Sequence, residues 1–447
     1  MASESILAQA IAEQATPMVG DTRDFDLLLD RIGDARFVLL GEATHGTHDF
    51  YRIRAEVTKR LINEKGFAAI AAEADWPDAY RVNRFVRGVG RDIDSVEALG
   101  EFQRFPQWMW RNADMLDLVG WLRNHNEMIE DASHRVGFYG LDLYSLHASM
   151  ASVLTYLDKR DPEAAREARR RYACFDAFGG EPQDYGQAVS IGAASGCEDE
   201  AIAQLVELLK HRSELLARDG TMAEDAQFEA EQNARVVARA EEYYRMMYFR
   251  GVSTWNLRDT HMTDTLDALS AHLERLGRAG KIIVWAHNSH VGDSEAMAHR
   301  RERAEITIGH LCRDRHPGDT VLVGFTTYDG TVTAASDWGG PGERKIVRPA
   351  IANSYELLFH RTNLPSFLLL MSDLGELTSA LHEPRLERAI GVVYRPQSER
   401  WSHYFDVRIA DQLDAVIHVD HTRALEPLER TSLWDRGELP ETYPTGF

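Results

Sequence analysis

Phe37-Val38-Leu39-Leu40-Gly41-Glu42-Ala43-Thr44-His45-Gly46-Thr47-His48 is the stretch that decides the fold. Its first half continues an apolar run from Arg36 and reads as a buried strand. Phe50, Ile53, Val57 and Leu61 then recur at helical spacing. A strand that ends in a glycine-bounded turn and opens a helix is the building unit of an open α/β sheet. Ligands bind such sheets at the carboxyl ends of their strands. This turn carries one carboxylate and two imidazoles close together, on backbone where a helix N-terminus leaves N–H groups free. It is the first candidate site.

Similar junctions recur along the chain. Apolar runs predict strands over 67–72, 135–140, 281–286, 319–325, 331–335, 366–370, 389–394 and 414–419. Helical patterns alternate with them, which argues for a mostly parallel sheet covered on both faces. From about 145 to 276 the strand signal disappears and long helical patterns take over. The expected architecture is therefore α/β: a mostly parallel central sheet flanked by helices, with a large all-helical insertion. Residues 1–144 form the first half of the core, 145–276 the insertion and 277–447 the second half. Trp338 to Lys345, rich in glycine, reads as a flexible loop.

The chain has 447 residues, enough for a large core, with 44% hydrophobic and 27% charged residues. Its net charge of −21 disfavours nucleic acid or an anionic membrane as partner. No segment approaches the ~20 apolar residues of a membrane span, and the first residues lack the pattern of a signal peptide. Cys174, Cys197 and Cys312 are odd in number and lack CxxC spacing, so no disulfide framework is expected and a cytoplasmic location fits.

Four expected strands end in polar groups: Glu42 with His45, Glu73 with Asp75, Asp142, and His287 with His290. One such residue has a dull structural explanation; four at equivalent positions point to an active site at one sheet edge. Arg54 joins them by angle. At 100° per residue from Phe50 it falls at about 40°, inside the apolar stripe, while Arg52, Glu56 and Lys59 face away. His147, His211, His272 and His310 lie in helical or loop contexts and read as surface or capping residues.

Nucleophile-elbow, HExxH and P-loop motifs are absent. Histidine, glutamate and arginine without a nucleophile suggest activation of water. A neutral imidazole takes a proton near pH 7, a carboxylate sets its tautomer, and an arginine stabilises an oxyanion. The same groups leave open a metal-dependent hydrolase, with zinc at His45, His287 and His290. A third reading is a non-catalytic cleft that binds a small molecule such as haem, although the CxxCH attachment motif is missing.

Leu40-Gly41-Glu42-Ala43-Thr44-His45-Gly46, Glu73-Ala74-Asp75-Trp76, Trp255-Asn256-Leu257-Arg258-Asp259 and Ala286-His287-Asn288-Ser289-His290 resemble the erythromycin esterase family. So do Trp338-Gly339-Gly340-Pro341 and Ser402-His403-Tyr404-Phe405, in order along nearly the whole chain. The resemblance implies metal-independent hydrolysis of a small-molecule ester or macrolactone, with no cofactor. It implies His45 as general base, with Glu42, Glu73, His287 and His290 as further catalytic residues. Arg54, Arg258, Asp142 and Trp76 are then expected to bind the substrate.

Overall fold

The computed structural model describes residues 2–178, 181–219, 221–249 and 253–437. They form two compact units: Met1–Phe67, Arg91–Met128 and Lys281–Phe447 in the first, Ala68–Gly90 and Ile129–Gly280 in the second. The strands, in chain order, are β1 (Thr16–Pro17), β2 (Phe37–Leu40), β3 (Ala69–Asp75), β4 (Gly137–Asp142), β5 (Ile282–Trp285) and β6 (Thr320–Ala334). They continue with β7 (Glu343–Val347), β8 (Ser366–Leu370), β9 (Arg385–Arg388), β10 (Tyr404–Val407) and β11 (Ala415–Thr422).

The sheet of the first unit runs β1-β8-β11-β6-β2-β5. Its middle, β11-β6-β2-β5, is parallel. β8 and β1 are antiparallel additions on one side, and β7 pairs antiparallel with the far half of β6. β2 is fully buried along its length, as its unbroken apolar run requires. Leu40 lies level with Trp285 and Val323, so Gly41 leaves the sheet where β2 and β5 both end, while β6 runs on to Ala334.

Four departures from the expected elements have local causes. The stretches 319–325 and 331–335 form one strand, β6, because the intervening residues continue its pairing with β11. Residues 389–394 are not a regular strand. Ile390 bridges Thr44 and Val393 bridges Ala335, one residue at a time, while the regular pairing lies earlier in β9. Part of the expected glycine-rich loop is β7, where buried Lys345 donates to Ser336 Oγ at 2.7 Å. The compact units also differ from the three linear segments expected. β3 and β4 pair with each other, and the helix Trp76–Val86 between them packs on β4, so this strand pair groups with the helical stretch.

The turn after β2 is tied to distant backbone at almost every step. Gly41 N–H donates to Val323 O (2.7 Å), Asn288 N–H to Glu42 O (2.8 Å) and Ile390 N–H to Ala43 O (2.8 Å). Thr333 and Leu425 N–H both donate to Gly46 O, each at 2.9 Å. Two glycines permit this crowding. A Cβ at Gly46 would run into the Thr333 carbonyl, and one at Gly41 into the Asn288 side chain. The helix His48–Lys65 follows, burying Phe50, Ile53, Val57 and Leu61.

In the second unit, helices Leu146–Arg160, Pro162–Tyr172, Pro182–Ser190, Glu198–Asp219, Thr221–Met246 and Thr254–Arg275 follow β4. Their shared core holds Leu146, Val153, Tyr172, Tyr185, Val237 and Tyr244. Cys174 and Cys197 are paired as a disulfide here, with Cα atoms 6.0 Å apart, while Cys312 stays free and buried. No disulfide framework was expected, and the structure holds this single bridge among its described residues: an odd count leaves room for one once the fold brings two thiols together. His272 is likewise no surface residue. It is buried, stacked on Phe228 at 4.0 Å, with Nε2 2.8 Å from Asp225. The side chain of His211 lies outside the described residues. Among the described residues no helix is long and apolar enough to cross a membrane.

Two outcomes are expected. Gly46→Ala lowers the stability of the first unit by about 1–3 kcal/mol, the usual penalty for overpacking, because the obstacle is backbone. Chemical denaturation followed by circular dichroism checks it. Replacing Cys174 and Cys197 by serine frees a loop with a sequence separation of 23 and costs about 3 kcal/mol on the chain-entropy account. A calorimetric comparison of the double variant with the parent reads this directly.

Candidate active site

Glu42 enters the first unit's cluster from the end of β2, at 1% exposure. Its Oε1 lies 2.8 Å from His45 Nδ1 and its Oε2 2.6 Å from Arg54 Nη2. A carboxylate only accepts hydrogen bonds, so the His45 proton sits on Nδ1 and the Nε2 lone pair is left to act as a base. Arg54 is also 1% exposed, its guanidinium carbon 4.4 Å from the ring centres of both Tyr51 and Trp285. Flat aromatic faces and one carboxylate oxygen thus replace the water that a buried cation loses. The apolar stripe of the helix delivers Arg54 to this place. The structure sets it beneath Glu42, packed inside, rather than at a surface open to substrate.

The end of β5 supplies His287, whose side chain caps the short helix Asn288–Val291. Ser289 N–H donates to His287 Nδ1 at 3.2 Å, and Ser289 Oγ lies 2.8 Å from the same nitrogen. An amide N–H needs an acceptor, so the imidazole proton sits on Nε2, 3.3 Å from Ala43 O. The His45 and His287 rings are 4.7 Å apart, tilted by 45°. His290 is buried in the same short helix at 2% exposure. His48, the other imidazole of the opening stretch, turns to Asp114 instead, with Nδ1 3.0 Å from Oδ2.

The second unit by itself holds a charged cluster. Arg258 Nη2 donates to Glu73 Oε1 (2.7 Å) and Asp142 Oδ2 (2.6 Å), and its Nε donates to Asp142 Oδ1 (3.0 Å). The Tyr144 ring lies under the guanidinium at 5.0 Å. Burial opposes the charge on Asp142, yet the adjacent Arg258 outweighs it and holds the carboxyl below its usual range. Burial likewise opposes the charge on Arg258, and Asp142, Tyr144 and Glu73 hold its pKa well above the ordinary value. Trp76 stands apart from this group. It is 1% exposed and packs against Tyr80, Tyr139 and Phe228, so the expected substrate contact is a core residue of this unit.

The sequence reading left Asn288, Ser289 and Tyr144 without roles. Asn288 and Ser289 stand inside the quoted His287–His290 motif, but what they hold depends on partners far along the chain. Among the described residues, no three His, Cys, Asp or Glu side chains are grouped as ligands for a metal ion. His45, His287 and His290, the zinc set considered above, make no such group.

The profile of the erythromycin esterase family matches residues 62–422. The chain belongs to the erythromycin esterase family. The matched span begins after the opening turn, so the geometry of Glu42, His45 and Arg54 is an independent observation. Erythromycin esterase type II of Escherichia coli is 28% identical over 120 residues, a match that spans 27% of this chain and about a quarter (26%) of that protein. Three solved structures share the fold over 95% of this erythromycin esterase-family chain. One is a succinoglycan biosynthesis protein (TM-score 0.78, 20% identity, 99% of that chain covered). Another is a protein from Bacillus cereus (0.79, 18%, 99%). The third is a mutant of the erythromycin esterase EreC in its open conformation (0.66, 18%, 98%).

Removing the cation from the buried pair should be costly. Arg54→Leu leaves the Glu42 charge without its partner, and a loss of about 3–5 kcal/mol is expected. Urea unfolding measures it. A second change, Glu42→Gln in the Arg54→Leu background, should restore part of the loss, because the buried negative charge has gone.

Proposed function

We propose that this chain is a hydrolase that cleaves a carboxylic ester or macrolactone with water activated by His45. The observation that carries the reading is the hydrogen bond of His45 Nδ1 to Glu42, itself held by Arg54, which leaves Nε2 as the basic nitrogen. Membership of the erythromycin esterase family supports the ester as substrate class.

In the proposed reaction His45 Nε2 takes a proton from water as its oxygen attacks the acyl carbon. The carbonyl π pair moves to oxygen and gives a tetrahedral oxyanion. Collapse expels the alkoxide, which takes its proton from the imidazolium of His45. Glu42 stabilises the imidazolium meanwhile, and Arg54 holds Glu42 in place. His290 is assigned to orienting the His287 segment. The pathway uses no metal. The donors support this: His287 Nδ1 is engaged by Ser289 N–H, and the Arg54 guanidinium occupies Glu42 Oε2.

The test is a panel of esters and lactones, including erythromycin, assayed with parent protein and His45→Ala. Losing a positioned general base lowers the rate roughly 10²–10⁴-fold. Hydrolysis in ¹⁸O-labelled water should place the label in the carboxylate product. Full turnover by a folded His45→Ala protein would sink the mechanism, as would activity abolished by a chelator and restored by zinc.

A further inference from the structure

The backbone clamp on the Glu42 turn includes Asn288, whose side chain is held by both β6 and β9. The Asn288 side chain pairs with β6 as a strand would. Its Nδ2 donates to Phe325 O at 2.8 Å and its Oδ1 accepts from Phe325 N–H at 3.2 Å. These two bonds fix which way the amide points. The second Nδ2 hydrogen then needs an acceptor, and Glu387 Oε1 supplies it at 3.0 Å. Glu387 Oε2 lies 2.7 Å from Gln412 Nε2.

Glu387 is buried, at 4% exposure, and among the described residues no cation pairs with it. The titratable groups about it are Glu356 and Tyr355, with Arg385 and Asp411 beside Tyr355. The neighbouring Arg388 points its guanidinium at Glu399 and at the carbonyls of Arg348, Thr327 and Tyr328. Burial pushes the Glu387 carboxyl up to about 7, and Glu356 adds to the rise. Gln412 can serve either protonation state. Its Nε2 faces the carboxyl, while its buried Oε1 has no hydrogen-bond partner among the described residues. Turning the amide over, an assignment that heavy-atom positions leave free, puts Oε1 opposite a proton on Glu387 Oε2. Asn288 cannot turn over without breaking both of its bonds to Phe325.

We propose that Glu387 is a positioning residue of the candidate site, a carboxylic acid that grips the Asn288 amide through its carbonyl oxygen and donates to Gln412. Through Asn288 it holds the His287 segment against β6 and, by the Asn288 N–H to Glu42 O bond, the Glu42 turn in register. The inference rests on the assignment of His45 to the reaction, and its effect on rate is read only through that site.

The experiment compares the parent protein with Glu387→Gln, Glu387→Leu and His45→Ala. Glu387→Leu strands the Asn288 hydrogen, and misplacement of this kind should lower kcat by on the order of 10²-fold with KM little changed. The imidazole ¹⁵N resonances of His287 should shift with it. Glu387→Gln keeps an acceptor for Asn288 and a donor for Gln412, so kcat and the His287 resonances return to parent values at pH 6. The sign with pH follows from a carboxyl raised in the folded state. Its stabilising effect is complete below about 4.3, the unfolded value, and is lost as pH rises through about 7. Raising the pH from 5 to 8.5 should therefore lower the Tm of the parent more than that of Glu387→Gln. Unchanged His287 resonances and kcat in Glu387→Leu would overturn the positioning role. Parallel Tm–pH curves for parent and Glu387→Gln would overturn the acid form, and this arm decides if Glu387→Leu fails to fold. The resonances and Tm need no substrate, so full activity in His45→Ala would remove the base reading and leave these measurements to judge Glu387 separately.

Discussion

Burying a carboxylate at the end of a strand is unfavourable unless a cation comes with it, and in this protein Arg54 is that cation. Glu42 and Arg54 are both almost wholly withdrawn from water, 2.6 Å apart, with Tyr51 and Trp285 closing over the guanidinium. A buried ion pair seldom adds net stability over well-packed apolar side chains, so its presence calls for another reason. The reason visible here is direction. Arg54 takes one carboxylate oxygen, which turns the other toward His45 Nδ1 and selects the tautomer with a basic Nε2. The helix His48–Lys65 thereby serves two ends, packing the sheet with its apolar stripe and orienting the imidazole through one charged residue within that stripe.

Rigidity comes from the backbone around this pair. The turn from Gly41 to Gly46 hydrogen-bonds to Val323, Asn288, Ile390, Thr333 and Leu425, residues drawn from distant parts of the chain. A site held within a few tenths of an ångström needs such support, because a side chain is placed no better than the backbone that carries it. The two glycines are the counterpart of this convergence: four other segments can meet at one turn only where two of its residues lack a Cβ. The second unit fixes its charged group differently. Arg258 is gripped by two carboxylates and an aromatic face, so side chains rather than backbone do the holding.

Much of the α/β architecture was legible because periodicity reports burial. β2, β4, β5, β8 and β11 fall within two or three residues of the expected strands, and each is an apolar run bounded by polar residues. Arg54 was legible for the same reason, since a charge inside an apolar helical stripe must be buried. The misses lie where local pattern and tertiary environment part. Residues 389–394 have the composition of a strand, yet they make only single bridges, Ile390 to Thr44 of the Glu42 turn and Val393 to Ala335. Trp76 stands next to Asp75 at a strand end, where a site residue was expected, but its helix turns the indole into an aromatic core. Cys174 and Cys197 carry no spacing signal because their meeting depends on how the helices of the second unit pack.

The sequence by itself determined the strand–turn–helix junction after β2, the alternation that makes the sheet, and the residue types that can move a proton: His45 with Glu42, and His287. These follow from short-range rules, since apolar period, glycine and the spacing of polar groups act within one or two turns of chain. Only the tertiary structure decided which nitrogen of each imidazole carries the proton, that Arg54 serves Glu42 from beneath, and that Asn288 links the turn to Glu387. Those are decisions of hydrogen-bond partners far apart in sequence, such as Asn288 with Phe325 and Glu387. A linear pattern cannot contain them, because the direction of a hydrogen bond is set by whatever the fold places opposite the donor.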